Sequence, residues 1–456
     1  MMGRAKLIPS TSQAEALHPL ATKRPAEIAG LPPGRRIHPL AEIRFQYLDA
    51  SNAGTSLMSK SDYRLGLFLL LGSLTAIGPL SIDMYLPSFP RIASTLTASG
   101  GAVEFTLAAF FIGLSLGQAF YGPITDRFGR KPPLYGGMAL YVLATLGCAF
   151  STSIEMLIFC RFVQALGGCA GMVISRAIVR DHFEAQGAAR AFSLLILVMG
   201  IAPILAPILG GAILQLASWQ GIFWCLAIYG TLSLAAIHFG LEESHPADPN
   251  CPLHPLTTLK NYAALCKDKT FIGNVLAGGL AQSGLFTYIT GSPFVIIELW
   301  HIPAHHFGWV FGSNAFAYIL ASQINTRLLP KYGIGKILHC ATLAPAGFGL
   351  VLLLSGATGL GGLPLLLIGL FGYMMSLGFI SPNTTACALA KQGHQAGLAS
   401  ALMGALQFSM ATVASFSIGL IHAKTALPMT GIMALCGISS LILFRTLVAK
   451  PRSPLP

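Results

Sequence analysis

Acidic residues are scarce in this chain. Only 16 Asp and Glu stand among 456 residues, and charged residues of both signs make up 10%. A soluble domain carries about 25% charged residues, so a water-solvated globular enzyme is excluded as a reading of the whole. Other signatures are missing too. The nine cysteines are odd in number, show no C-x-x-C spacing and mostly lie in apolar stretches, which argues against a disulfide framework or a zinc ribbon. No phosphate-binding loop, nucleophile elbow or pair of catalytic carboxylates occurs, so no enzymatic activity is expected. The first 60 residues lack the apolar core of a cleavable signal peptide. Rich in Pro, Ala, Arg and Ser, residues 1–60 read as a disordered basic tail, within which Met58 offers an alternative start.

What is present is apolar. Hydrophobic residues reach 54%, mean hydropathy is +0.68 and there are 50 glycines. Apolar runs bounded by charge, proline or glycine fall near 64–90, 104–122, 134–151, 154–175, 190–214, 218–240, 271–296, 307–328, 335–355, 361–386, 396–421 and 427–448. A helix crossing a bilayer needs about 20 such residues. The runs are continuous rather than alternating, which excludes lipid-spanning strands. The expected fold class is an all-α polytopic membrane protein with twelve transmembrane helices.

Orientation follows from the basic residues. With both termini cytoplasmic, 25 of the 28 Lys and Arg fall on the cytoplasmic side, Arg91 and Lys424 fall outside and Arg161 lies within a helix. The formal charge of +12 is thus spread along membrane edges, and a nucleic-acid partner is not expected.

Internal symmetry divides the chain. The polar stretch 241–269 separates a half at 61–240 from a half at 270–448, with a short tail at 449–456. "GQAFYGPITDRFGRKPPL" (117–134) and "ASQINTRLLPKYGIGKIL" (321–338) pair at a constant offset of 204, matching Arg127 with Lys331 and Gly129 with Gly333. Repeats of this kind build transporters that alternate access around a midplane site.

Asp83, in "GPLSIDMYLPSFP", is the residue that an inert scaffold would not need. A charged Asp at the centre of a membrane helix costs roughly 2.5–3.5 kcal/mol and marks a functional site by default. Counting from the ends of their runs places Asp83 and Arg161 at one depth, so the two are expected to meet, with Gln164 one turn along from Arg161. Such a pair fits proton coupling, since a nearby cation changes a buried carboxyl's hold on its proton. It also fits a permanent ion pair that orients helices. "FTYITGSPF" offers Phe286, Tyr288 and Ser292 beside Gly291 and Pro293. With Tyr85, Gln164, Asn383 and Gln407 these form a candidate cavity for an amphipathic compound, although each also suits an ordinary core. Glu298, His301 and His305 have a spacing a helix could gather for zinc, but Pro303 interrupts it, and no metal or other cofactor is expected.

These residues carry a resemblance. "SIDMYLPSFP", "GQAFYGPITDRFGRKP", "RFVQALGGCAG", "GIAPILAPILGGAI", "YITGSPFVI" and "SPNTTACAL" make the chain, from Leu65 to about Leu447, similar to the major facilitator superfamily and, within it, to bicyclomycin-resistance-type drug:proton antiporters. The resemblance implies two pseudo-symmetric six-helix halves and a monomer in the bacterial inner membrane that exports small hydrophobic drugs against entering protons. It implies proton coupling by Asp83 and Arg161, and a cytoplasmic gate motif of Gly122, Asp126, Arg127, Gly129, Arg130 and Lys131. It also implies an antiporter motif of Gly200, Pro203, Pro207, Gly210 and Gly211 in helix 5, where the small residues and prolines would serve simple packing as well. Glu104 departs from the family, in which a glutamine is expected, and leaves open whether a second carboxylate joins Asp83 and Arg161 in proton coupling. An exporter of a metabolite such as an amino acid, or a membrane sensor that transports nothing, would use the same scaffold.

Overall fold

The computed structural model describes residues 60–448 apart from 100, 184, 246, 248–254, 393–395 and 422–423. Residues 1–59, with the alternative start at Met58, and the tail from 449 lie outside the described residues. The chain from Arg64 onward forms one compact unit.

No strand occurs among the described residues. Apolar side chains offer the backbone no partner, so N–H and C=O groups must pair within each segment, which leaves the helix. Among the described residues, ten stretches are long and apolar enough to cross a membrane by length and composition. One of them, Ala304–Thr358, is broken by Gly333 at φ 71° and ψ 158°. Asn314 and Phe348 line a single groove, so the chain doubles back at that break and counts as two spans. Lys131–Ala149, with 19 residues and therefore about 28 Å long, completes twelve.

The spans are α1 (Lys60–Asp83), α2 (Glu104–Phe128), α3 (Lys131–Ala149), α4 (Ile154–His182), α5 (Ala185–Leu216), α6 (Gln220–Gly240), α7 (Lys269–Ser292), α8 (Ala304–Ala341, whose residues 334–341 run on into the next span), α9 (Leu343–Thr358), α10 (Gly362–Leu389), α11 (Ala396–Ile421) and α12 (Leu427–Leu443). Span α1 outruns the sequence expectation, in which the run ended near residue 90. It continues past Asp83 through a 3₁₀ turn at Leu86–Ser88 and a helix at Phe89–Thr95. The interruption at 241–269 also contains an unexpected helix, Pro255–Lys267, whose Tyr262 hydroxyl donates to Ala119 O at 3.1 Å.

The expected repeat is visible in the backbone. Gly129 and Gly333, 204 residues apart, both adopt positive φ, at 83° and 71°. That region is costly for a residue with a Cβ. Close packing relies on small residues: a Cβ at Gly167 would stand 2.5 Å from Tyr141 N and one at Gly113 2.4 Å from Phe162 O, so α4 meets both α3 and α2 almost backbone to backbone. The two halves meet where α2 lies along α11 and α5 crosses α8. One end of the bundle, called the basic end below, carries the Gly129 and Gly333 turns with Lys267 and Lys269. The opposite end carries Thr97–Val103, Trp300–Pro303 and Thr425.

Candidate functional site

Asp83 ends α1. It is 3% exposed and its Oδ1 has no hydrogen-bond partner. Arg161, on α4, is wholly buried. The expected pairing of the two is not found. The physical reason is register. Because the first span runs on to Thr95, Asp83 lies twelve residues, about 18 Å, from its tip, whereas Arg161 lies only seven residues, about 10 Å, from the tip at Ile154. Tyr85, two residues on from Asp83, takes the place beside Arg161, and side chains two apart do not share a face.

Arg161 sits instead in an aromatic cage. Its Cζ is 4.3 Å from the centre of the Tyr85 ring, 4.2 Å from Phe110 and 6.0 Å from Phe223. Nη1 donates to Gln164 Oε1 at 2.6 Å, and Gln164 Nε2 donates to Thr145 Oγ1 at 2.8 Å. Nε and Nη2 have no partner. The Tyr85 hydroxyl is fixed by Thr106 at 2.6 Å. A buried guanidinium without a carboxylate is costly, and cation–π contact offsets only part of that, about 2 kcal/mol or more per desolvated ring. The cage therefore holds a charge with two donors to spare.

Asp83 has Tyr288 of α7 as a neighbour. It lies within electrostatic range of Tyr288, which is 1% exposed, stacks on Phe311 at 5.3 Å and accepts a hydrogen bond from Asn314 Nδ2 at 3.0 Å. Phe286 meets Phe111 of α2 at 4.8 Å and Phe408 of α11 at 5.7 Å, an aromatic cluster between the halves. Ser292 is buried with its Oγ unpartnered. Gln407 packs beside Gly279 of α7. Asn383 stands apart from these: its amide donates to Asn325 Oδ1 at 2.8 Å and ties α10 to α8. Two groups thus form, Arg161 with Tyr85 and Gln164, and Asp83 with Tyr288.

Glu104 begins α2 at the opposite end and is 8% exposed. With Gly291, Phe294, Ile418 and Met429 it lines a void of about 20 Å³, room for about one water, at the junction of α2, α7, α11 and α12.

At the basic end, the gate motif forms a charge network. Arg130 Nη1 donates to Asp126 Oδ1 at 2.6 Å and Nε to Asp181 Oδ2 at 2.9 Å. Burial alone would lower the proton affinity of this guanidinium, but Asp181 and Asp126 outweigh it and hold the pKa above its ordinary value. Glu243 Oε1 accepts from Arg130 N at 2.8 Å and Oε2 from Lys131 N at 3.0 Å, so a carboxylate caps the N-terminus of α3. Lys131 Nζ donates to Leu241 O at 2.5 Å, and Arg127 lies over the Phe128 ring at 5.7 Å. Gly122 is half-buried within α2.

The helix 5 motif packs closely against its neighbours toward the opposite end. Pro203 and Pro207 lie inside α5. A Cβ at Gly210 would stand 1.8 Å from Met84 O, one at Gly211 3.1 Å from His305 Cα and one at Gly200 3.2 Å from Ile319. On the facing α8, a Cβ at Gly308 would stand 2.8 Å from Ile208 N. Gly210→Leu is accordingly expected to force α1 and α5 apart at this end at unchanged membrane levels. Maleimide labelling of a Ser88→Cys reporter, buried in the native protein, should become several-fold faster in that background; unchanged labelling would show that the motif does not hold this end shut.

Three participants escaped sequence reasoning. Asp181 and Glu243 are acids beside basic loops in a chain with few acids. Asn314 is a lone amide in the apolar run of α8, the same kind of signal that singled out Asp83.

A sequence profile of the Major Facilitator Superfamily matches residues 71–415. The uncharacterized MFS-type transporter YdgK of Bacillus subtilis is 40% identical over 372 residues, covering 81% of this chain and 92% of that protein. The bicyclomycin resistance protein homolog of Haemophilus influenzae is 32% identical over 382 residues, covering 84% and 96%. Among solved structures, a D-xylose–proton symporter superposes with a TM-score of 0.67 over 85% of this chain and 98% of its own, at 14% identity, a likeness of fold.

Proposed function

Because the chain belongs to the major facilitator superfamily of membrane transporters, we propose that it exports small hydrophobic or amphipathic drugs in exchange for protons by alternating access. The observation that carries this reading is Asp83, a buried carboxyl at the meeting of the halves with no ion pair to neutralise it and with Tyr288 of the other half in range. A carboxyl so placed exchanges its proton only when the protein opens, which is what coupling requires. The Haemophilus relative named for bicyclomycin resistance supports drugs as cargo. Glu104, buried where α2, α7, α11 and α12 meet, offers a second proton site on the path from the opposite end. Arg130 with Asp126, Asp181 and Glu243 latches the basic end, which the distribution of Lys and Arg assigns to the cytoplasm, with both termini on that side of the inner membrane. The unit acts as a monomer.

The test is drug-evoked proton release from everted vesicles. Addition of a transported drug should alkalinise the lumen of vesicles holding the unmodified protein. No proton movement with any of a broad drug panel would overturn the reading. Arg161 favours a second reading, export of a metabolite bearing a carboxylate, because Nε and Nη2 present two free donors in a fork that matches one. Efflux of amino and organic acids from cells lacking other exporters distinguishes the two.

A further inference from the structure

The outer face of the second half carries a groove that meets the candidate transport site only at Asn314, whose amide bonds Tyr288. Its wider part, about 830 Å³, begins at the basic end and is lined by Leu328 and Tyr332 of α8, Ala344 and Phe348 of α9 and Met375 and Phe379 of α10. A second part of about 440 Å³ continues past Phe348, Gly372 and Met375, which both parts share, toward Val310 and Ile368. The walls are almost wholly apolar, and apolar neighbours such as Leu343, Leu350 and Ile368 stand more than half exposed around it. The larger volume lies within the roughly 300–1,000 Å³ of ordinary ligand pockets.

The mouth of the groove is basic. Lys336 and His339 line it, Lys331 lies over the Tyr332 ring at 5.2 Å, and Arg445, just past the end of α12, bonds His339 Nδ1 at 2.8 Å and His339 O at 3.0 Å. Among the described residues, Lys331, Lys336 and Arg445 make no ion pair. The sequence explains why: no Asp or Glu follows Glu298, so α8, α9, α10 and α12 hold no acid at all. The first half solves the same problem internally. At the turn related by 204 residues, Asp126, Asp181 and Glu243 neutralise Arg130 and cap α3. At the Gly333 turn, Pro330 replaces Asp126, and none of the surrounding spans offers a carboxylate.

We infer that this groove binds a phospholipid with an anionic headgroup, an acyl chain lying between α8 and α9 over α10 and the phosphate resting on Lys336, Lys331 and the Arg445–His339 pair. Each part of the lipid meets its match. A long apolar cleft open to the bilayer takes a chain and excludes water, and a cluster of cations at the membrane edge, without carboxylates, takes the phosphate. A zwitterionic headgroup brings its own cation to the same place and is disfavoured. The inference is independent of what the protein carries.

The experiment measures retained lipid by native mass spectrometry after purified protein is exchanged into detergent with equal phosphatidylglycerol and phosphatidylcholine. The unmodified protein is expected to keep about one phosphatidylglycerol per chain with at least a tenfold preference. The double variant Lys336→Gln/Arg445→Gln should lose that preference, and Ala344→Trp, which fills the groove, should lose both lipids. Since a Trp at 344 can disturb α9, the charge variant, which alters only surface side chains, carries the test by itself. Equal retention of the two lipids by the unmodified protein, or a preference that survives charge removal, overturns the inference. So does photolabelling of the groove by an exported drug in place of lipid, which would make it a substrate site.

Discussion

Asp83→Asn is expected to reach the membrane in normal amounts and to lose concentrative export, the accumulation ratio of a transported drug in energised everted vesicles falling to about one. The size of the loss follows from the driving force. One elementary charge moving down 100 mV releases about 2.3 kcal/mol, and at about 1.4 kcal/mol per tenfold this sustains roughly a 40-fold ratio. Asn keeps the shape and hydrogen-bonding capacity of the neutral carboxyl but carries no exchangeable proton. Because Asp83 Oδ1 has no hydrogen-bond partner, the substitution breaks no bond there. The fold should therefore survive, with a melting temperature within a few degrees of the unmodified protein. Full accumulation by Asp83→Asn would move proton coupling elsewhere, with Glu104 the next residue to replace.

Most of the fold was legible in the sequence, and the reason is the bilayer. Where backbone groups have no water, a run of 20 apolar residues has one structural outcome, so counting runs amounted to counting spans. The 204-residue offset was legible because a positive φ demands glycine at both turns. Contacts between spans were less legible. Asp83 and Arg161 were expected to meet because depth was counted from run ends, and the unforeseen helix Phe89–Thr95 shifted that count by several residues. A shift of two residues turns a side chain to the other face of a helix, so Tyr85 rather than Asp83 took the position beside Arg161. Asn383 was read as a cavity residue because it is polar within an apolar run. Its amide is used instead on Asn325, a pairing that depends on how α8 and α10 cross. The network around Arg130 was half legible: Asp126 is four residues away on the same helical stretch, whereas Asp181 and Glu243 arrive from distant segments.

Arg161→Met is the second substitution with a large expected effect, and its two readouts should move in opposite directions. A buried guanidinium held only by aromatic faces and a single Gln164 bond is a net liability to the fold. Replacing buried charge with an apolar side chain of similar length is often neutral or stabilising, by about 1–4 kcal/mol. Met also packs well against aromatic rings. Thermal stability in detergent should therefore hold or rise. On the proposed mechanism export should fall at least tenfold, since the cage would lose the cation that either acts on Asp83 within the same half or receives the substrate. Arg161→Lys separates those roles. An ammonium keeps the charge but not the planar fork, so it should restore much of the coupling if charge alone matters. It should leave export low if two parallel hydrogen bonds to a carboxylate are needed. Loss of stability with both variants, export falling only in proportion to folded protein, would reduce Arg161 to a packing residue.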